Sequence, residues 1–205
     1  MKPVWRIPTL ALLILVCSAQ LALAAEETLR LDPAASRLSF HLDATMHSAN
    51  GTMALKRGEI RFDLATGAAG GEVVIDAASA DTDHKGRDEK LHHEVLESAT
   101  YPEIVFRPTA VQADVDERGV GTVTLAGTVT IHGADHEVSV AASVARDGER
   151  VRVTGKLVVP YVAWGMRDPS VFVLRVAKTV EVSFTVMGTL AAMAPPATAD
   201  SGAGW

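Results

Sequence analysis

From Thr28 onward the apolar residues of this chain recur at every second position, and that period is the mark of β-strands with one face on a core. Leu38, Phe40 and Leu42 alternate with Ser39, His41 and Asp43, so the two sets point to opposite faces. The same alternation runs through Val123, Leu125, Val129 and Ile131, through Val138, Val140 and Val144, through Val151, Val153, Leu157 and Val159, and through Val180, Val182, Phe184 and Val186. Turn chemistry falls between the runs. Asp147-Gly148 is a two-residue hairpin signal, Glu117 to Gly119 and Thr66 to Gly71 are looser turns, and Gly133 follows His132 at a strand end.

Many short strands joined mostly by hairpins indicate an all-β fold, an antiparallel barrel or a sandwich. Composition helps to choose between them. A sandwich fills the space between two sheets, usually with large aromatic side chains, whereas only 5% of this chain is aromatic. Much of the inward set is Val, Ala and Gly, small enough to leave a lumen in a barrel of about eight strands.

Two passages break the strand pattern. Asp76 to Phe106 reads as strongly helical: Thr82 or Asp83 caps a helix whose stripe is Leu91, Val95 and Leu96. Tyr101-Pro102 then restarts the chain in extended conformation, because a residue before proline is pushed out of the helical region. Such a helix would cover one end of the sheet. The second passage is Val158 to Ser170, where Pro160 ends or bulges a strand and Gly165 and Asp168-Pro169 force turns. Tyr161, Trp164 and Met166 lie on that loop, as the lining of a cavity mouth or as a hydrophobic plug.

The ends divide the chain into an export signal at 1–24, one domain at 25–190 and a disordered tail at 191–205. Lys2 and Arg6 precede an apolar run at Leu10 to Val16 and a small-residue site at Ala22-Leu23-Ala24, the layout of a cleaved secretory signal. The run is shorter than the roughly 20 residues of a membrane-spanning helix. Cys17 follows bulky Val16, which disfavours lipid modification. Cleavage would remove this only cysteine, so the domain has no thiol chemistry and depends on packing; about 165 residues suffice for one core. Losing the two positive charges of Lys2 and Arg6 takes the formal net charge of −6 down to −8, which argues against nucleic acid and against simple docking on anionic lipid. The tail is rich in Ala, Pro, Gly and Ser.

Three ordered motifs resemble the YceI-like family of secreted bacterial lipocalin-like proteins. LRLDPAASRLSF is similar to the opening strand-DPAHS-strand signature. AASADTDHKGRDEKLHHEVLESATYPEIVF resembles the central motif, with its Arg87-Asp88 pair and its Tyr-Pro, and LAGTVTIHGADHEVSV resembles the following hairpin. The resemblance spans Leu29 to Gly188. It implies an eight-stranded antiparallel barrel, closed partly by the helical segment, whose apolar tunnel holds a polyisoprenoid or similar amphiphile; the family is mostly periplasmic and often dimeric. His41 to Met53 and the VPYVAWGMRDPS loop depart from the common pattern and bear on which ligand is held.

Chemistry beyond binding finds little support. His84, His92 and His93 lie close in sequence, and His41 and His47 could approach them. Adjacent histidines on a helix face different ways, however, and no i, i+4 pair is present, so solvent-facing histidines are expected rather than a metal site. No nucleophile elbow, zinc-protease helix, phosphate loop or dinucleotide fingerprint occurs, and neither catalysis nor a cofactor is expected. The candidate tunnel wall is Leu38, Phe40, Leu42, Phe62, Ile75, Phe106, Leu125, Val140, Leu157, Trp164 and Phe184. Arg87 is the candidate head-group contact; the simpler role for it is an ion pair with Asp88 or Glu89 that steadies the helix. Arg167 and Asp168 carry the same ambiguity. The expected partner is an isoprenoid or fatty-chain lipid. The alternative is a structural module without a tunnel that docks another protein, or a membrane, through its aromatic loop.

Overall fold

A computed structural model describes residues 26–45, 47–171 and 175–192. The expected export signal and nearly all of the expected tail lie outside the described residues. Eight antiparallel strands form a closed barrel: β1 (Glu27–Leu42), β2 (Ala49–Asp63), β3 (Ala68–Asp81), β4 (Glu103–Val115), β5 (Val120–Ile131), β6 (Ala134–Asp147), β7 (Arg150–Val159) and β8 (Val180–Ala192). Each strand pairs with the next, and β8 closes on β1 through pairs such as Leu38↔Phe184. Among the described residues, closure leaves no edge strand open to pairing with another chain. The expected tail boundary shifts: Ala191 and Ala192 belong to β8, because they pair with Thr28 and Glu27.

Up-and-down order gives the barrel two unlike ends. The turn end carries the three tight connections at residues 64–67, 116–119 and 148–149, together with the first residue of β1 and the last of β8. The lid end carries the β1–β2 loop, the helical segment, the His132-Gly133 turn and the segment after β7. His132 and Gly133 both have positive φ, 51° and 76°, the backbone a two-residue turn of matching twist requires.

The first four strands change their inward parity part-way along, whereas β5 to β8 keep one parity throughout. In β1 the inward set is Leu29 and Leu31 before the change and Leu38, Phe40 and Leu42 after it. Residues Asp32 to Arg37 make the change as an irregular bulge opposite β8. Asp32 Oδ1 accepts the N–H groups of Ala34 and Ala35, and Ser36 Oγ donates to the Asp32 carbonyl at 2.6 Å. The same Ser36 hydroxyl accepts the Met187 N–H at 3.1 Å, so that β8 donor keeps a partner across the break in register. β3 repeats the device: Ser79 Oγ donates to Asp76 O at 2.6 Å and accepts Ala54 N–H at 2.8 Å.

This second bulge corrects the reading of Asp76 to Phe106. Strand β3 continues to Asp81 and β4 starts at Glu103, so the helix α1 occupies only Lys85–Lys90 before it relaxes into a π-helical turn at Leu91–Val95. Leu96 N–H reaches back to Leu91 O at 2.8 Å in that wider turn. Neither Thr82 nor Asp83 caps the helix; the cap position is His84, without a side-chain bond. Thr82 instead gives both its N–H and its hydroxyl to Asp88 Oδ1, at 2.9 and 2.6 Å, and Asp83 sits at φ 58°. A polar run offering several competent caps left the choice to tertiary contacts.

Candidate functional site

Inward-facing side chains leave the barrel hollow. An apolar-walled cavity of about 980 Å³ runs between the two ends, reaching Arg87, Lys90 and Trp164 at one and Asp116, Gly119 and Gly148 at the other. That volume lies at the upper end of the roughly 300–1,000 Å³ of small-molecule pockets. Its walls are built by strand alternation, which places Leu125 opposite Val140 and Leu157 opposite Val182 on adjoining strands.

The structure places Leu38, Phe40, Leu42, Phe62, Ile75, Phe106, Leu125, Val140, Leu157, Phe184 and Trp164 on this wall, and Arg87 at its lid end. Sequence reasoning missed the wall residues on the other side of each parity change, among them Leu29 and Leu31 of β1, Met53 and Leu55 of β2, and Val111 of β4. The signal was present as an odd-to-even switch at Asp32-Pro33 and at Lys56. Two aromatic rings narrow the lumen over glycines. Phe40 lies over Gly51 and Phe184 over Gly155, so closely that a Cβ at either glycine would fall within 2.6 Å of the ring.

Packing closes the part of the lid end that lies under the helical segment and the loop after β7. Phe40, Val95, Leu96, Tyr161 and Met166 are all less than a tenth exposed and form one cluster with Val129, Ile131 and Val159. The loop after β7 is therefore a plug whose inner surface also lines the cavity, which resolves the two readings of Tyr161, Trp164 and Met166. Tyr161 donates its hydroxyl to Ala177 O at 2.8 Å, and burial, helped by the nearby Asp168 charge, pushes its pKa up to about 12. Trp164 stacks flat on His136, ring centroids 4.2 Å apart. Backbone bonds from Thr45 to Arg175 and from Ala177 to Asp43 stitch the plug to the β1–β2 loop.

The charged groups sort differently from expectation. Arg87 forms no ion pair with Asp88 or Glu89, or with any other acid among the described residues. The bonds from Thr82 take up Asp88 Oδ1 and hold the Asp88 pKa below the usual carboxylate range. Arg167 pairs with Glu94 of the helical segment at 3.2 Å, and Asp168 accepts the Ser170 N–H at 2.9 Å. The histidines are not uniformly solvent-facing: His92 is half-buried, with Nε2 2.8 Å from Ala80 O and Nδ1 2.9 Å from Ser98 Oγ. With Nε2–H donated to the Ala80 carbonyl and Nδ1 on the Ser98 hydroxyl, His92 ties the helical segment to β3, a structural role. Outside the barrel, Lys56 and Arg57 of β2 reach across β3 to Glu103 of β4 at 2.8 and 3.3 Å, above the fully buried Val74.

A profile of the YceI-like domain matches residues 29–187. The chain belongs to the YceI-like family. This YceI-like chain is 32% identical to Protein YceI of Escherichia coli O157:H7 over 78 residues, a stretch covering 38% of each protein. Among solved structures, BcnA of Burkholderia cenocepacia superposes with a TM-score of 0.63 at 24% identity, over 78% of this chain and 99% of that one. A polyisoprenoid binding domain from Saccharophagus degradans superposes at 0.61 and 20% identity, over 78% and 97%. Both share the barrel fold with this family member.

Proposed function

We propose that this chain binds a polyisoprenoid or other long-chain amphiphile inside its barrel and releases it chemically unchanged. The observation that carries the reading is the continuous apolar cavity of about 980 Å³. Each methylene moved from water onto such a wall contributes about 0.8 kcal/mol, so a long chain gains affinity without a dense set of polar contacts. The polyisoprenoid-binding Saccharophagus neighbour supports the same ligand class. The leader-like start of the sequence supports export to the periplasm, where the domain would carry, store or protect such a lipid. A docking role for the aromatic loop has less to recommend it, since Tyr161 and Met166 are buried and Trp164 is stacked on His136.

Titration with a fluorescent polyene fatty acid tests the proposal. Saturable binding at one site per chain, with displacement by a C20 isoprenyl alcohol, is the expected result. A protein that leaves the probe's emission unchanged at micromolar concentrations would refute it.

A further inference from the structure

The cavity is electrically lopsided. At the lid end its wall carries His47, Arg87 and Lys90 and no carboxylate, the Tyr161 phenol there being neutral. At the turn end they are Glu27, Asp116, Glu117, Arg118 and Arg146. There Arg118 is neutralised by Asp116 at 2.7 Å, while Arg146 donates Nε to Gly148 O at 2.7 Å and keeps its positive charge, so three acids against two arginines give that end a single net negative charge. That leaves Glu27 and Glu117 without a cationic partner among the described residues. In a protein of formal net charge −6, two lid-end cations that line an apolar cavity and form no ion pair among the described residues stand out.

The positions of Arg87 and Lys90 are set by the helix. Spaced i, i+3 on α1, they share a face, and Leu91 one residue further on lines the cavity with them. Neither forms an ion pair among the described residues. Of the neighbouring acids, Asp88 is held by Thr82 and Glu94 by Arg167, while Glu89 forms no ion pair with either cation. Across the opening stand Ala44, His47 and Ala49 at the β1–β2 loop, so the cavity emerges between that loop and α1 with basic groups on both sides.

We infer that this opening seats an anionic head group, phosphate or carboxylate, held by Arg87 and Lys90, while the apolar tail lies along the barrel toward the acidic turn end. The inference rests on the lipid-binding reading and adds to it the ligand's charge and its direction. Two donors and a net charge favour an anion over the neutral alcohol or quinone on an identical tail. The acids at the turn end oppose the reverse orientation.

Competition against the fluorescent polyene tests this, using a C20 isoprenyl monophosphate, the matching alcohol and inorganic phosphate. The monophosphate is expected to bind about tenfold or more tighter than the alcohol, a preference that shrinks as salt screens it. R87Q/K90Q should remove that preference and leave alcohol affinity within about twofold, since the apolar wall is untouched. Arg87→Lys should retain part of it, and Arg146→Gln at the far end should leave the preference for phosphate over alcohol in place. Inorganic phosphate should displace nothing. The inference is overturned by equal affinities for phosphate and alcohol, by loss of alcohol binding in R87Q/K90Q, or by a preference that follows Arg146. Inorganic phosphate binding as tightly as the lipid phosphate would overturn it too. A wild-type protein that binds neither lipid refutes the lipid-binding reading itself.

Discussion

Leu125→Trp distinguishes a hollow barrel from a packed one by two measurements on one variant. Leu125 lies midway along the 12 residues of β5 and faces the lumen opposite Val140. At about 3.3 Å per residue and a tilt of about 40°, such a strand spans roughly 30 Å of barrel height, so an indole there obstructs the tunnel about half-way. In a close-packed core the added atoms would cost about 1–3 kcal/mol, a fall of roughly 2–12 °C in melting temperature for a domain of this size. In an open lumen they should shift melting by less than about 2 °C. The binding arm uses fatty acids of increasing length. In the wild type each added methylene should tighten Kd about fourfold until the tunnel is filled, and in the variant the series should level off at about half that length. A large loss of stability, or an unchanged length at which the series levels off, would refute the hollow-barrel reasoning.

Three further outcomes follow from the same geometry. Ser36→Ala leaves the Met187 N–H without its partner inside the β1 bulge and should cost about 1–3 kcal/mol in urea unfolding, with the m-value unchanged. Leu96→Ala hollows the packing under the helical segment, where Leu96 is 6% exposed, and should cost about 2–5 kcal/mol by the same assay. Lys56 and then Arg57 hold the Glu103 carboxyl below its ordinary 4.5, so its folded form binds a proton less readily than its unfolded form. The stability from this cluster is therefore complete above pH 4.5 and is lost as pH falls through the lowered value; in Glu103→Gln that part of the acid dependence should vanish from a pH series of melting temperatures.

How far the sequence spoke depended on whether a strand kept its period. In β5 to β8 nothing interrupts the alternation, and Leu125, Val140, Leu157 and Phe184 face inward as their parity dictates. In β1 to β4 a bulge resets the parity, so runs read from one half of a strand are silent about the other; Leu29, Met53 and Val111 were lost that way. The helix was expected in the right place, a residue or two early at its cap, but the passage read as helical was drawn too wide: Asp76 to Asp81 stays in β3, where Ser79 supplies the bond that keeps it in the sheet. Arg87 is the residue sequence could least resolve. Local spacing offered it Asp88 and Glu89, and only the tertiary bonds from Thr82 show Asp88 otherwise engaged.

The most direct test of the central claim is native mass spectrometry of protein purified from its own source organism without detergent, followed by solvent extraction of whatever it carries. A mass excess released as a single long-chain amphiphile, at close to one molecule per chain, is the expected result. Protein that carries no extractable lipid, and whose mass does not rise after incubation with C20 and longer isprenyl chains, would contradict it.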